Sequence, residues 1–128
     1  MSYTINRTIT AASFDEVDQR TRSALLGKGF GVLTEIDVKG TMKKKLDVDM
    51  PPYRILGACN PKMAYQAIGM EPRVGAMLPC NVILRQVGDA VEVSAIDPVA
   101  SMQAIDNIEL IRVAGEVRDL LAEAIAAI

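Results

Sequence analysis

Residues 80–96 constrain the fold more than any other run. They read Cys80-Asn81-Val82-Ile83-Leu84-Arg85-Gln86-Val87-Gly88-Asp89-Ala90-Val91-Glu92-Val93-Ser94-Ala95-Ile96. Gly88-Asp89 between two apolar runs suits a two-residue type II′ hairpin turn, with glycine where φ must be positive. The turn sets Val87 opposite Ala90, Arg85 opposite Glu92, Leu84 opposite Val93, Val82 opposite Ala95 and Cys80 opposite Asp97. That register gathers Val82, Leu84, Val91, Val93 and Ala95 on one face. Asn81, Arg85, Glu92 and Ser94 take the other. A one-residue slip would turn the apolar set to water, so charge pairing and burial specify the same hairpin. Its apolar face needs a cover.

Amphipathic helices supply that cover. Tyr3 to Ile9 alternates and is rich in Thr and Ile, which predicts a first strand. Ser13-Phe14-Asp15-Glu16 is a capping box, and Phe14, Val17, Thr21, Ala24 and Leu25 then share a helical face until Gly27 and Gly29. Phe30 to Val38 predicts a second strand, which Lys39-Gly40-Thr41 breaks. One helical turn is expected over Met42 to Leu46, with Lys43, Lys44 and Lys45 as a solvated face. Pro51-Pro52 opens a third strand, Tyr53 to Cys59. Asn60 suits an N-cap and Pro61 the first helical position, for a helix to about Ile68 that Gly69 closes. Glu71-Pro72 suggests a further short turn, and Asp97-Pro98 ends the hairpin. From about Asp106 a long helix keeps Leu110, Ala114, Val117, Leu121, Ala124 and Ile128 on one seam, widened by Ile108, Ile111 and Ile125. The order predicts an α+β fold in one domain, 1–128. It has a mixed sheet of about five strands with helices packed on it, a ferredoxin-like-related layout and a C-terminal amphipathic helix. The wide apolar seam points to a homodimer.

Composition narrows the chemistry. There is no histidine, which removes His-based zinc sites, Ser-His-Asp triads and the commonest general base. A net charge of −2, no Trp and only five Phe and Tyr disfavour a nucleic-acid partner. The N-terminal residues carry no long apolar run and Leu120 to Ile128 is too short to cross a bilayer, so no membrane partner is expected. A cytoplasmic setting follows, in which two cysteines are free thiols.

The chemistry-bearing residues fall in residues 51–81, where each cysteine precedes an asparagine: Cys59-Asn60 and Cys80-Asn81. A thiol at the end of a strand and beside a helix N-terminus is one that helix amides and dipole can activate. Cys59 and Cys80, with Asp97 opposite Cys80, form a candidate thiol or soft-metal site for redox or transfer chemistry. Two sulfurs and a carboxylate are one ligand short of closed zinc coordination. The thiols meet only if their strands are antiparallel neighbours. An intervening strand would hold them about 10 Å apart. The plainer reading is two small buried hydrophobes. Tyr53, Arg54, Asn60 and Asn81 form a second candidate, in which a ring and a guanidinium fork grip a small-molecule anion. This would be a non-catalytic ligand-binding or accessory module. Met63, Met70 and Met77 recur at sevens, a spacing that suits core filling more than metal binding. Glu35 and Asp37 share a strand face, as strand alternation alone would place them. No cofactor is named by these residues.

Three blocks are similar to the Domain of Unknown Function 302 family. They are Phe30 to Lys39, Pro51 to Pro61 with its Gly57-Ala58-Cys59-Asn60-Pro61, and Leu78-Pro79-Cys80-Asn81-Val82. The resemblance spans roughly Ser13 to Met102. It implies a small α+β protein that tends to be dimeric, with no established activity and no catalytic residues to carry over. Similar domains sometimes accompany redox or sulfur-handling modules.

Overall fold

The structure is a computed structural model that describes residues 2–128. The elements run β1 (Thr4–Ile9), α1 (Phe14–Leu26), β2 (Gly31–Asp37), α2 (Val38–Leu46), β3 (Tyr53–Cys59) and α3 (Pro61–Met70). A 3-10 helix (Pro72–Met77) follows, then β4 (Cys80–Val87), β5 (Ala90–Ile96), α4 (Pro98–Ser101) and α5 (Ile108–Ala126). The α+β class, the five strands and the C-terminal helix agree with the sequence reading.

The five strands lie in the order β1-β5-β4-β3-β2. The sheet differs from the expected mixed one, because all four pairings are antiparallel. β1 and β2 point the same way, but the α1 crossover carries them to opposite edges, so they never pair. β3 and β4 are direct neighbours, with no strand between them.

The hairpin register is as its sequence requires: Val82 faces Ala95, Leu84 faces Val93, Arg85 faces Glu92 and Val87 faces Ala90. Positive φ falls on Gly88 (59°) and not on Asp89. Arg85 Nε donates to Glu92 Oε1 at 2.9 Å. Val82, Leu84, Val91, Val93 and Ala95 are fully buried. With Leu56 and Ala58 of β3 they meet Val17 and Leu25 of α1 and Leu121, Ala124 and Ile125 of α5. Arg7 closes the end of α5, since its Nη1 donates to the carbonyls of Ile125, Ala126 and Ile128 at 3.2, 2.8 and 2.7 Å.

Two departures have local causes. The second strand does end before Lys39-Gly40-Thr41. The sequence predicts a helical turn only from Met42, but Lys39-Gly40-Thr41 already lies inside the nine-residue α2. Asp37 caps it, accepting from Gly40 N at 3.0 Å, while Thr41 Oγ1 donates to the Asp37 carbonyl at 2.8 Å. A Cβ on residue 40 would sit against the Asp37 carboxylate, so this glycine permits the cap rather than ending the strand. Ile108, expected on the buried seam, is 87% exposed. It lies two residues before fully buried Leu110, about 200° around the helix from that seam.

The opposite sheet face is partly open. A cross-strand row of Ile36, Ile55 and Ile83 runs across it, continuing to Ser94.

Candidate functional site

The end of β3 and the start of β4 meet at one place. Ala58 faces Cys80 across the antiparallel pair, so Cys59, the next residue, lies beside Cys80 at the same end of the sheet. The chain between them, residues 60–79, forms α3 and the 3-10 helix. Asn60 starts α3 as its N-cap, accepting from Met63 N at 3.3 Å, and Pro61 follows as a residue needing no amide donor.

This connection, the sheet end and α5 enclose a cavity of about 320 Å³. That is the lower end of the usual range for small-molecule sites. Phe30, Ala58 and Cys80 line its sheet side, Met63, Ala64 and Ala67 the α3 side, and Leu110, Val113 and Ala114 the α5 side. Met102 and Pro98 line it from α4 and its end. Leu33 and Ile68, 68% and 47% exposed, stand at its open side. Asn60 is the lining side chain that carries an amide, its Oδ1 engaged in capping α3; the others are apolar, glycine or thiol.

Both cysteines are free thiols lining this cavity, Cys59 half-buried and Cys80 buried. Burial pushes the Cys80 thiol up to about 11, and the nearby charge of Cys59 adds to the shift. At neutral pH Cys80 is therefore a neutral thiol rather than a ready nucleophile. Asp97 does not turn toward them. Its Oδ1 accepts from Val99 N and Ala100 N at 2.9 and 3.4 Å, capping α4, and its Oδ2 accepts from Arg118 Nε at 2.9 Å. Among the described residues no three His, Cys, Asp or Glu side chains gather as a metal set.

The four residues of the anion site do not converge. Tyr53 and Arg54 lie at the far end of β3, about 20 and about 17 Å from Cys59 at the rise of an extended strand. They border a separate concavity with Phe14, Asp15, Asp37 and Lys39. Arg54 Nη1 donates to Asp18 Oδ2 at 2.9 Å, and its Nε lies 3.2 Å from Glu35 Oε1, an ion pair without hydrogen-bond alignment. Its guanidinium sits 5.0 Å from the Phe14 ring centroid. Arg22 binds the same two carboxylates, Asp18 at 2.7 Å and Glu35 at 2.9 Å. Glu35 is thus an ion-pair residue and Asp37 a helix cap. Asn81 is exposed and faces Gly57 across the strands, on the sheet face away from Cys80. Of the four, Asn60 alone reaches the cavity.

Sequence reasoning missed the cavity walls. Ala64 and Ala67 are three apart on α3 and face Ala114 of α5 through the space they leave. Small residues at helical spacing are the signal, visible only once the two helices are known to face each other. Of the methionines spaced at sevens, Met63 lines the cavity and Met77 is 40% exposed, so the heptad spacing does not gather them.

The sequence profile described as Domain of unknown function DUF302 matches residues 5–128. The crystal structure of an uncharacterized conserved DUF302 protein from Bacillus stearothermophilus is similar, with a TM-score of 0.87. The two share 24% identity, over 96% of this chain and 97% of the other. No curated protein matches. Among the described residues, no helix is long and apolar enough to cross a membrane.

Proposed function

Since the chain belongs to the DUF302 family, whose name carries no activity, we propose a function from its cavity: a non-catalytic module that binds a small, uncharged, largely apolar molecule. The cavity beneath α3 carries this reading. It is of ligand size, its walls are apolar, and Asn60 offers one amide to fix an orientation. An anion is the poorer occupant. No Arg or Lys lines the cavity, and Arg54 is held by Asp18 and Glu35. Burying an unpaired charge among these walls would cost several kcal/mol or more.

Titration with an uncharged naphthylamine dye tests the reading. A saturable, one-to-one rise in emission is expected. Ala64→Phe, which fills the space from α3, should abolish it while leaving the circular dichroism spectrum unchanged. An unsaturable signal, or one unaffected by Ala64→Phe, refutes the site.

A second reading has its own observation. Cys59 and Cys80 line one cavity from adjacent strands, so a soft metal or a redox partner could engage both thiols. A cytoplasmic setting that keeps them reduced belongs to this proposal. So does a homodimer, with a second copy covering the Ile36–Ile55–Ile83 row of the open sheet face. Light scattering at high protein concentration tests the assembly, and a clean monomer rejects it.

A further inference from the structure

We infer that the cavity selects a neutral carbonyl compound, a ketone or ester on an apolar body with no hydrogen-bond donor, and that the side-chain N–H of Asn60 anchors it. The inference rests on the apolar-ligand reading above and adds the polar group that the ligand presents.

The cap of α3 fixes the Asn60 amide. The Met63 backbone N–H donates to Asn60 Oδ1 at 3.3 Å. Only the oxygen of an amide side chain accepts from an N–H, so the cap decides which end is oxygen and which is nitrogen. The oxygen is thereby committed to the helix, and Nδ2 is the end left for a ligand. Among the described residues nothing accepts from Nδ2, and it is not a sealed orphan either, since Asn60 is half-buried. A Cβ on residue 29 would lie 3.2 Å from this nitrogen, so Gly29 leaves that side of it clear. The residue that carries it lines the cavity.

The rest of the lining offers little to a ligand's own N–H or O–H. No Ser, Thr, Tyr, Gln, Asp or Glu side chain lines the cavity, and thiol and thioether sulfurs are weak acceptors. Cys80 presents an S–H and not a thiolate at neutral pH, because burial pushes its thiol up to about 11. An alcohol, amine or amide hydrogen carried inside would lose its water and find no strong side-chain acceptor. A plain hydrocarbon is disfavoured for the opposite reason. It displaces water from Nδ2 and leaves that donor unpaired. A carbonyl oxygen avoids both costs, because it takes the Nδ2 hydrogen bond and brings no hydrogen to satisfy.

The test displaces the uncharged naphthylamine dye from the full-length protein with three naphthalenes of one shape. These are acetylnaphthalene, isopropenylnaphthalene, in which a CH₂ replaces the carbonyl oxygen, and the alcohol made by reducing the ketone. The ketone should displace the dye at about fivefold lower concentration than the alkene, the effect of one net hydrogen bond, and should also outcompete the alcohol. Asn60→Asp keeps an oxygen to cap α3 and removes the N–H. The ratio of ketone to alkene affinity should then fall to one or below, with no loss of melting temperature. Asn60→Ser, an uncharged and shorter cap, gives the same ratio if the carboxylate expels the dye. The inference is overturned if the alkene or the alcohol competes as well as the ketone. It is equally overturned if the ketone preference survives in the Asn60 variants. Saturable dye binding with no ketone preference rejects the anchor and leaves the apolar site standing, whereas no saturable dye binding rejects both.

Discussion

The alkaline limb of stability measures how Cys80 is buried. Desolvation raises its thiol from an ordinary 9.0 to about 11, with a further contribution from Cys59. The unfolded chain therefore loses this proton at lower pH than the folded one. With the folded value above the unfolded one, stability is fully present below pH 9. It falls as pH rises from 9 to 11, the range in which the unfolded state is ionised and the folded one largely is not. A difference of about two between the values corresponds to about 2.7 kcal/mol. Urea unfolding of the wild type and Cys80→Ala, followed by circular dichroism from pH 7 to 11 in reductant, reads this directly. At pH 7 the variant should be less stable by about 1 kcal/mol, for the lost sulfur packing. Lysines and tyrosines titrate in both proteins, so their effect cancels in the difference. The gap should close near pH 10 and reverse by pH 11, where the variant becomes more stable by 1–2 kcal/mol, about. Curves that stay parallel within about 0.5 kcal/mol across that range would refute the assigned burial of Cys80.

Gly57→Ala should cost about 2–3 kcal/mol in urea unfolding, because its Cβ would collide with Thr34 Oγ1 and lie 2.8 Å from Pro79 Cγ. Adding Thr34→Ala should recover part of that loss, while no recovery would place the obstruction at Pro79 alone. Burial by itself would raise the Asp18 carboxyl, but hydrogen bonds and charge from Arg22 and Arg54 hold it below its ordinary value of 3.8. Its contribution is present above pH 3.8 and is lost as pH falls through the lower folded value. Asp18→Asn should cost about 2–3 kcal/mol at pH 7 and flatten the acid limb between pH 5 and 2, which thermal melts across that range would check. Arg7→Ala should remove three carbonyl contacts at the end of α5, at about 1–2 kcal/mol. Hydrogen exchange should accelerate in the last turn of α5 first, and unchanged exchange there would contradict the cap.

What the sequence shows clearly is what neighbouring residues settle among themselves. The β4–β5 register follows from one glycine, one charge pair and an alternation that agree over a few residues. The start of α3 follows from Asn60 and Pro61 in the same way. Arg54 is the contrary case. As a sequence it is a free fork suited to an anion, but Asp18 lies 36 residues before it and takes that fork. Gly40 misleads for a related reason. Glycine lowers helix propensity, yet here its missing Cβ makes room for the Asp37 cap. The four-residue α4 is too short to show any period, and Asp97 reads as a ligand until its oxygens are seen on the Val99 amide and Arg118.

The cavity depends on one topological fact that no local pattern contains. Cys59 is the last residue of β3 and Cys80 the first of β4. If those strands were parallel, the connection would have to cross the whole sheet, and the thiols would lie at opposite ends. They are antiparallel neighbours, so the chain leaves and re-enters the sheet at the same end. Residues 60–79 must then fold back over the two cysteines, and α3 and the 3-10 helix form a roof there. A roof built with leucines would fill its own underside. This one presents Ala64 and Ala67 toward Ala114 and leaves space. Strand adjacency brings the thiols together, small side chains leave the space, and Met63 and Met102 line it with sulfur. The Cys-Asn pairs mark the two ends of that roof, and strand pairing decides that they enclose a site.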